Sequence, residues 1–240
     1  MHFRHILLSG LVLSLMYCYW LTIPGDLSDF TPTLEGDGFN IYRTTNTPTA
    51  QEFILQFIGP NYEFVDYEYV IQGCTLSTFH RDVTSSPYEF GTTYPVYTYI
   101  VYNNSGPLLS VCPGSHLTVP FLNSKPMTIV GENNTMTSVL FHCDLVHAGA
   151  GNDLGSKRYA RQYKIVHKDD ANRLAHLRGI HKTTSHGECH MNPMYEASMI
   201  KSSLLFSFWS NHVWTEYLQN RQENMVGKII QWVYPDFYNT

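Results

Sequence analysis

The sequence predicts a mainly β protein with flanking helices, its strands folded into a double-sheet jelly roll, and three observations carry that expectation. The chain holds 17 Tyr and 13 Phe beside many Thr and Val, residue types that suit a pleated, half-buried surface. Its strand-like runs are short and separated by turn signals at small, irregular intervals, which fits a jelly roll better than a parallel α/β sheet. A length of 240 residues accommodates one domain with a real core and an appendage at each end. The net charge of -5, with only 15 Lys+Arg, argues against nucleic acid as a partner, because phosphate neutralisation needs a concentrated basic surface.

Ile6 to Ile23 is an uncharged run of eighteen residues, with Arg4 before it and Pro24-Gly25-Asp26 after it. Its length suits a single transmembrane helix, with Tyr17, Tyr19 and Trp20 at the far interface. We expect residues 1–23 to be a membrane anchor, or a cleaved signal peptide, with the rest of the chain lumenal or external, or secreted after cleavage; a buried N-terminal helix is the remaining alternative. On that side Asn103 and Asn133 are glycosylation candidates, as Asn103-Asn104-Ser105 and Asn133-Asn134-Thr135. The five cysteines, Cys18, Cys74, Cys112, Cys143 and Cys189, are odd in number and lie on no tight spacing, so they read as buried thiols.

The polar stretch at residues 24–37 is a tether, and residues 38–168 are the jelly-roll domain. Gly38 to Arg43 opens it as a strand, and Thr49-Ala50-Gln51-Glu52 is a capping box that starts a helix through Phe57. Tyr62 to Ile71 interleaves aromatic and β-branched residues with acids and reads as one strand. Cys74 to Asp82 forms the next strand or its end. Tyr94 to Tyr102 is the most β-prone segment, expected to line the barrel with Tyr97, Tyr99 and Val101, or with their neighbours if the register slips. Leu108 to Cys112, Met127 to Val130, Ser138 to His142 and Tyr159 to His167 complete the strands.

Within this frame one pattern carries chemistry. Residues two apart on a strand share a face, so His80 and Asp82 present an imidazole and a carboxylate side by side. His147 is the expected third ligand. Two His and one carboxylate on one side of a metal leave the remaining positions open, the facial arrangement of non-haem Fe(II) oxygenases. Arg158 follows, a fork suited to a carboxylate such as that of 2-oxoglutarate. Arg161 is the runner-up, but it stands three residues from Arg158 and so on the opposite face. His142-Cys143-Asp144 is a second HxD, whose distal ligand would have to be His181, His186 or His190. In the favoured arrangement His142, Asn152 and Tyr99 surround the metal ligands without touching the ion. His116 reads as a turn histidine held by backbone, with a fourth metal ligand as the alternative.

The order His80-Arg81-Asp82, Pro113-Gly114-Ser115-His116, His142, His147, Asn152 and Arg158, the last lying eleven residues after His147, resembles the phytanoyl-CoA dioxygenase family of Fe(II)/2-oxoglutarate oxygenases. The resemblance covers roughly Gly36 to Val166. It implies a cupin-like double-stranded β-helix, Fe(II) held by His80, Asp82 and His147, 2-oxoglutarate paired with Arg158, and ascorbate as an accessory reductant. It further implies hydroxylation of a small molecule, lipid or protein side chain, with release of succinate and CO2. One departure is Gly149, which stands where many members carry a Ser bonded to the co-substrate. Two rival readings are an inactive jelly roll used for binding or structure, and a cupin-like metalloenzyme that does not use 2-oxoglutarate. Residues 169–240 lie beyond the resemblance. His176, His181, His186, Cys189 and His190 there read as a polar loop or lid, with a zinc site as the alternative. Glu196 to Gln219 reads as a helix that packs on the barrel, forms a homodimer or contacts the membrane surface.

Overall fold

A computed structural model describes residues 3–21, 30–44, 50–73, 79–117, 125–149 and 158–186. The helix expected at the N-terminus is α1, Phe3–Leu21. Among the described residues, however, no helix is long and apolar enough to cross a membrane, so the transmembrane reading of residues 1–23 is not upheld. Ser9, Gly10 and Ser14 dilute the run, and the Ser14 hydroxyl folds back on the Gly10 carbonyl at 2.8 Å.

Seven strands build the larger sheet: β1 (Phe39–Thr44), β2 (Tyr62–Phe64), β3 (Tyr67–Gly73), β4 (Tyr97–Tyr102), β7 (Met136–His142), β9 (Arg158–His167) and β10 (Ile180–His186). Their order is β1-β7-β4-β9-β3-β10, with β2 also on β9. The smaller sheet has the order β6-β5-β8, formed by β5 (Gly106–Val111), β6 (Met127–Gly131) and β8 (His147–Gly149). A bridge between His80 and His147 adds the HxD segment to the free edge of β8. The two sheets meet face to face, since one core cluster joins Phe39, Ile100, Tyr102, Val139, Phe141 and Ala160 to Leu108, Leu109, Val111 and Ile129. This is the expected jelly roll.

Period-two alternation sorts the side chains of the larger sheet. Ile100 and Tyr102 face the smaller sheet. Tyr99 lies instead with Leu140 and Ile165, beneath Ile54 of α2 (Ala50–Ile58), and Tyr97 and Val101 pack against that same cluster. The register is therefore the alternative one. α2 buries the Tyr97-Tyr99-Val101 face, which leaves Thr98, Ile100 and Tyr102 for the interior.

Three further differences from the sequence reading have local causes. The expected strand from Tyr62 to Ile71 breaks between β2 and β3, where Val65 turns inward to pack with Val96 and Val166. After Asp82 the chain forms a 3-10 turn, Val83–Ser85, and the short helix α3, Pro87–Phe90. The segment from Asp169 onward, expected as a polar loop or lid, instead enters a 3-10 turn at Lys168–Asp170, forms a second at Ala175–Leu177 and continues into β10, which runs parallel to β3. Ala171, Leu174 and Leu177, with Ile180 packed against them, anchor that segment, while the strand itself is polar, as an edge strand tolerates. The predicted helix at Glu196 to Gln219 lies outside the described residues.

The alternation on β4 is open to test by substitution. Ile100, 4% exposed between the sheets, should lose about 2–4 kcal/mol of stability on Ile100→Ala. The neighbouring Val101→Ala, on a half-buried side chain, should lose less than about 1.5 kcal/mol. Urea unfolding midpoints of the two variants check the assignment, and equal losses would contradict it.

Candidate metal centre

The site lies where the HxD segment meets β8. The His80 N–H donates to the His147 carbonyl and the His147 N–H to the His80 carbonyl, both at 2.9 Å, a reciprocal pair that fixes the two histidines side by side. Their rings lie 4.4 Å apart between centroids. Asp82 is placed by its own N–H, which donates to the Cys143 carbonyl at 2.8 Å. Arg81, between the two ligand candidates, points away from them. Its guanidinium donates to the Ser115 carbonyl at 2.9 Å and to the Asp144 carbonyl, tying the HxD segment to the Pro113-Gly114-Ser115-His116 turn and to the turn before β8. Ser115 reinforces that joint, as its hydroxyl accepts from the Val146 N–H at 2.8 Å.

His80, Asp82 and His147 thus offer ligand atoms within 4.8 Å of one another. Asp82 Oδ1 lies 3.8 Å from His80 Nε2 and 3.7 Å from His147 Nε2. His147 Nδ1 sits 2.8 Å from the Leu145 carbonyl. A carbonyl only accepts, so Nδ1 carries the proton and Nε2 keeps its lone pair for an ion, the outer-shell arrangement usual for metal-binding histidines. Burial, with His80 alongside, pushes the His147 imidazole down to about 4, so it stays unprotonated at neutral pH. Burial alone would raise the Asp82 carboxyl. The Lys164 ammonium, aided by the two histidines, overcomes that and holds it well below the usual carboxylate range. Two convergent imidazoles and one carboxylate suit a divalent cation of intermediate hardness.

Lys164 is the residue that the sequence reading missed. It is 1% exposed, with its Nζ 2.6 Å from Asp82 Oδ2 and 2.8 Å from Thr98 Oγ1. Strand register explains the placement. Thr98 stands opposite Lys164 on one side and Phe141 on the other, three residues in a row on the interior face, and the Phe141 ring lies 4.6 Å from that of His147. Position in the alternation of β9, four residues beyond Ala160 and two beyond Gln162, was the available signal.

The remaining candidates fall elsewhere. Arg161 is exposed and engaged, its guanidinium bonded to the Tyr159 hydroxyl at 3.1 and 3.2 Å and to Glu68 at 3.3 Å, so it is occupied on the outer face. Arg158 opens β9 with its backbone opposite Gly73; its side chain, like all of Asn152, lies outside what the structure describes. Gly149 is buried on β8 opposite Leu109. Tyr99, expected near the ligands, is on the α2 side of the sheet with its ring against Phe64 and Tyr163. Asn103 and Asn133 are exposed, after β4 and after β6.

The second HxD also clusters, as His142, Cys143 and Asp144, but each member has another task. Burial first, with Asp144 beside it, pushes the Cys143 thiol well above its usual value, and its Sγ donates to the Ser85 carbonyl. Asp144 accepts from Ser86 at 2.7 Å, and His142 Nδ1 accepts from the Asp144 N–H at 3.3 Å. Of its proposed distal ligands, His181 pairs with Asp66 at 2.8 Å on the surface, while the His186 side chain and all of His190 lie outside the described residues. His116 Nε2 bonds the Glu35 carbonyl at 3.1 Å, as a turn histidine, and is not in the His80 group. His176 stacks on Phe90 and bonds the Thr84 carbonyl. His176 and His181 therefore form no shared zinc site; Cys189 lies outside the described residues.

No family model matches the chain, and no curated protein matches it. Solved structures with a similar chain path include the non-heme alpha ketoglutarate dependent carbocyclase SnoK from nogalamycin biosynthesis, at 14% identity and a TM-score of 0.38 over 60% of this chain and 86% of that one. EvdO2 from Micromonospora carbonacea var. aurantiaca is similar at 9% identity and a TM-score of 0.38, over 60% and 93%. EctD from S. alaskensis gives 13%, 0.36, 60% and 80%. Against EvdMO1 the chain spans about half the length of its neighbour, 48%.

Burial, followed by His116 and Arg81, pushes His142 down to about 4, and this predicts an acid limb in stability. Above an unfolded value of about 6.5 both states are neutral and nothing is lost. As pH falls from there toward 4 the unfolded chain takes its proton first, so stability drops, by at most roughly 2–3 kcal/mol for this residue. His147 adds a similar loss. In chelator-treated protein, His142→Phe should therefore lose about half as much stability as the unsubstituted chain between pH 7.5 and 4.5, read from urea midpoints. An unchanged loss would remove His142 from the account.

Proposed function

We propose that this chain is a non-haem Fe(II) and 2-oxoglutarate-dependent oxygenase that hydroxylates a C–H bond of its substrate. The observation that supports it is the convergence of His80 Nε2, Asp82 Oδ1 and His147 Nε2 from one side, with both imidazoles on the same edge of the smaller sheet. Such a donor set fits Fe(II) and leaves the opposite positions to exchangeable ligands. A bound iron would supply the coupling of dioxygen reduction and 2-oxoglutarate decarboxylation, with succinate and CO2 as products, to oxidation of the substrate. The chain's own part is to orient and to exclude. His147 and Asp82 are buried, whereas the His80 side chain is 25% exposed, so access to the donors comes past His80. Phe141 closes the interior side with an apolar ring. Arg158 is our candidate for the far carboxylate of 2-oxoglutarate.

A metalloenzyme that does not use 2-oxoglutarate is the second reading, and Gly149 is the observation in its favour, because a glycine on β8 offers no hydroxyl to a co-substrate carboxylate. Anaerobic iron titration followed by a succinate assay separates the two. Iron bound with succinate formed supports the oxygenase, iron bound without succinate supports the second reading, and no iron bound overturns both.

His80→Ala and His147→Ala should each weaken iron binding by at least tenfold, with circular dichroism unchanged. Asp82→Ala should do the same and also cost about 3–5 kcal/mol of stability, because it strands the buried Lys164 ammonium. Arg158→Lys keeps the charge and loses the fork, so the 2-oxoglutarate KM should rise at least tenfold while iron affinity holds. A normal KM in Arg158→Lys would reassign the co-substrate's partner.

A further inference from the structure

The two oxygens of Asp82 live in different surroundings. Oδ1 faces the two histidines, at 3.8 and 3.7 Å from their Nε2 atoms. Oδ2 accepts from Lys164 Nζ at 2.6 Å and from the Thr98 hydroxyl at 2.5 Å. Lys164 also reaches Thr98 at 2.8 Å, so the three side chains close a triangle. All three are buried, and Thr98 and Lys164 are cross-strand partners on the interior face of the larger sheet.

We infer that Lys164 and Thr98 are positioning residues that reserve Oδ2 of Asp82, so that this carboxylate meets a divalent cation through Oδ1 alone. The inference rests on the metal-site reading above. A carboxylate with both oxygens free can swing to bind an ion through two of them, as carboxylates commonly do. With Oδ2 held by an ammonium and a hydroxyl, the same residue fills one coordination position. Two imidazoles and one oxygen would then hold a bound cation and leave its remaining positions to other ligands. Charge follows the same logic. The ammonium offsets the charge of the carboxylate, so a dication bound there would keep more of its attraction for an anionic ligand. The same offset loosens the grip on the ion itself, because Lys164 competes for Asp82.

Co(II) titration of the full chain under argon, followed by visible absorption, tests this. His147→Ala comes first and should bind Co(II) at least tenfold more weakly, which places the ion. Lys164→Met should then bind Co(II) about tenfold more tightly and show an altered d–d spectrum, as the released carboxylate takes a second position. Thr98→Val should shift affinity and spectrum in the same direction by a smaller amount, and Thr98→Ser, which restores the hydroxyl, should return both to the unsubstituted values. Unaltered spectra in folded Lys164→Met and Thr98→Val, weaker Co(II) binding by Lys164→Met, or a shift in Thr98→Ser equal to that in Thr98→Val would each overturn the inference. Should Lys164→Met fail to fold, the two Thr98 variants decide it alone. If the unsubstituted chain binds no Co(II), or His147→Ala binds it equally well, the metal reading fails and carries the inference with it.

Discussion

A carboxylate enclosed between two sheets must be answered by a cation, and in this molecule Asp82 is answered by Lys164. Removing two charges from water costs several kcal/mol per ion, recovered only when geometry is close and the remaining hydrogen-bonding capacity is used. Here Thr98 uses it, through contacts to both partners. Burial governs the neighbours of this pair. It keeps Cys143 a thiol, bonded to the Ser85 carbonyl, and with His80 alongside it holds the His147 imidazole neutral. One ion pair thus joins the HxD segment to β9 at this end of the barrel.

The jelly roll was legible because its strands are short, aromatic-rich and bounded by turns, and the His80, Asp82 and His147 cluster was legible because each stands in a recognisable pattern. Lys164 was not. In Arg161-Gln162-Tyr163-Lys164-Ile165 a lysine between aromatic and aliphatic residues looks like a polar residue on a solvated strand face, and only the partners across β4 show that the polar face is the interior one. Tyr99 failed for the complementary reason. Both faces of β4 are buried, one by the smaller sheet and one by α2, so alternation could not say which aromatic looks inward. β10 was hidden by composition: His181-Lys182-Thr183-Thr184 has the polarity of a loop, and the residues that fix it, Leu174 and Leu177, precede it in sequence.

The reciprocal bridge between His80 and His147 closes the smaller sheet between segments 67 residues apart in sequence. Loop-closure entropy of that kind is recovered only when both strands are in place, so the donors converge only once the barrel is shut. Binding and folding are therefore linked at this point. A ligand that recognises the closed arrangement and not the open chain adds RT ln(1 + [L]/Kd) to stability, about 2.7 kcal/mol at a hundredfold excess over Kd. On the proposed metal reading, an ion held by His80, Asp82 and His147 would also act as a fastener for the free edge of β8, and chelation would lower the stability of the folded chain.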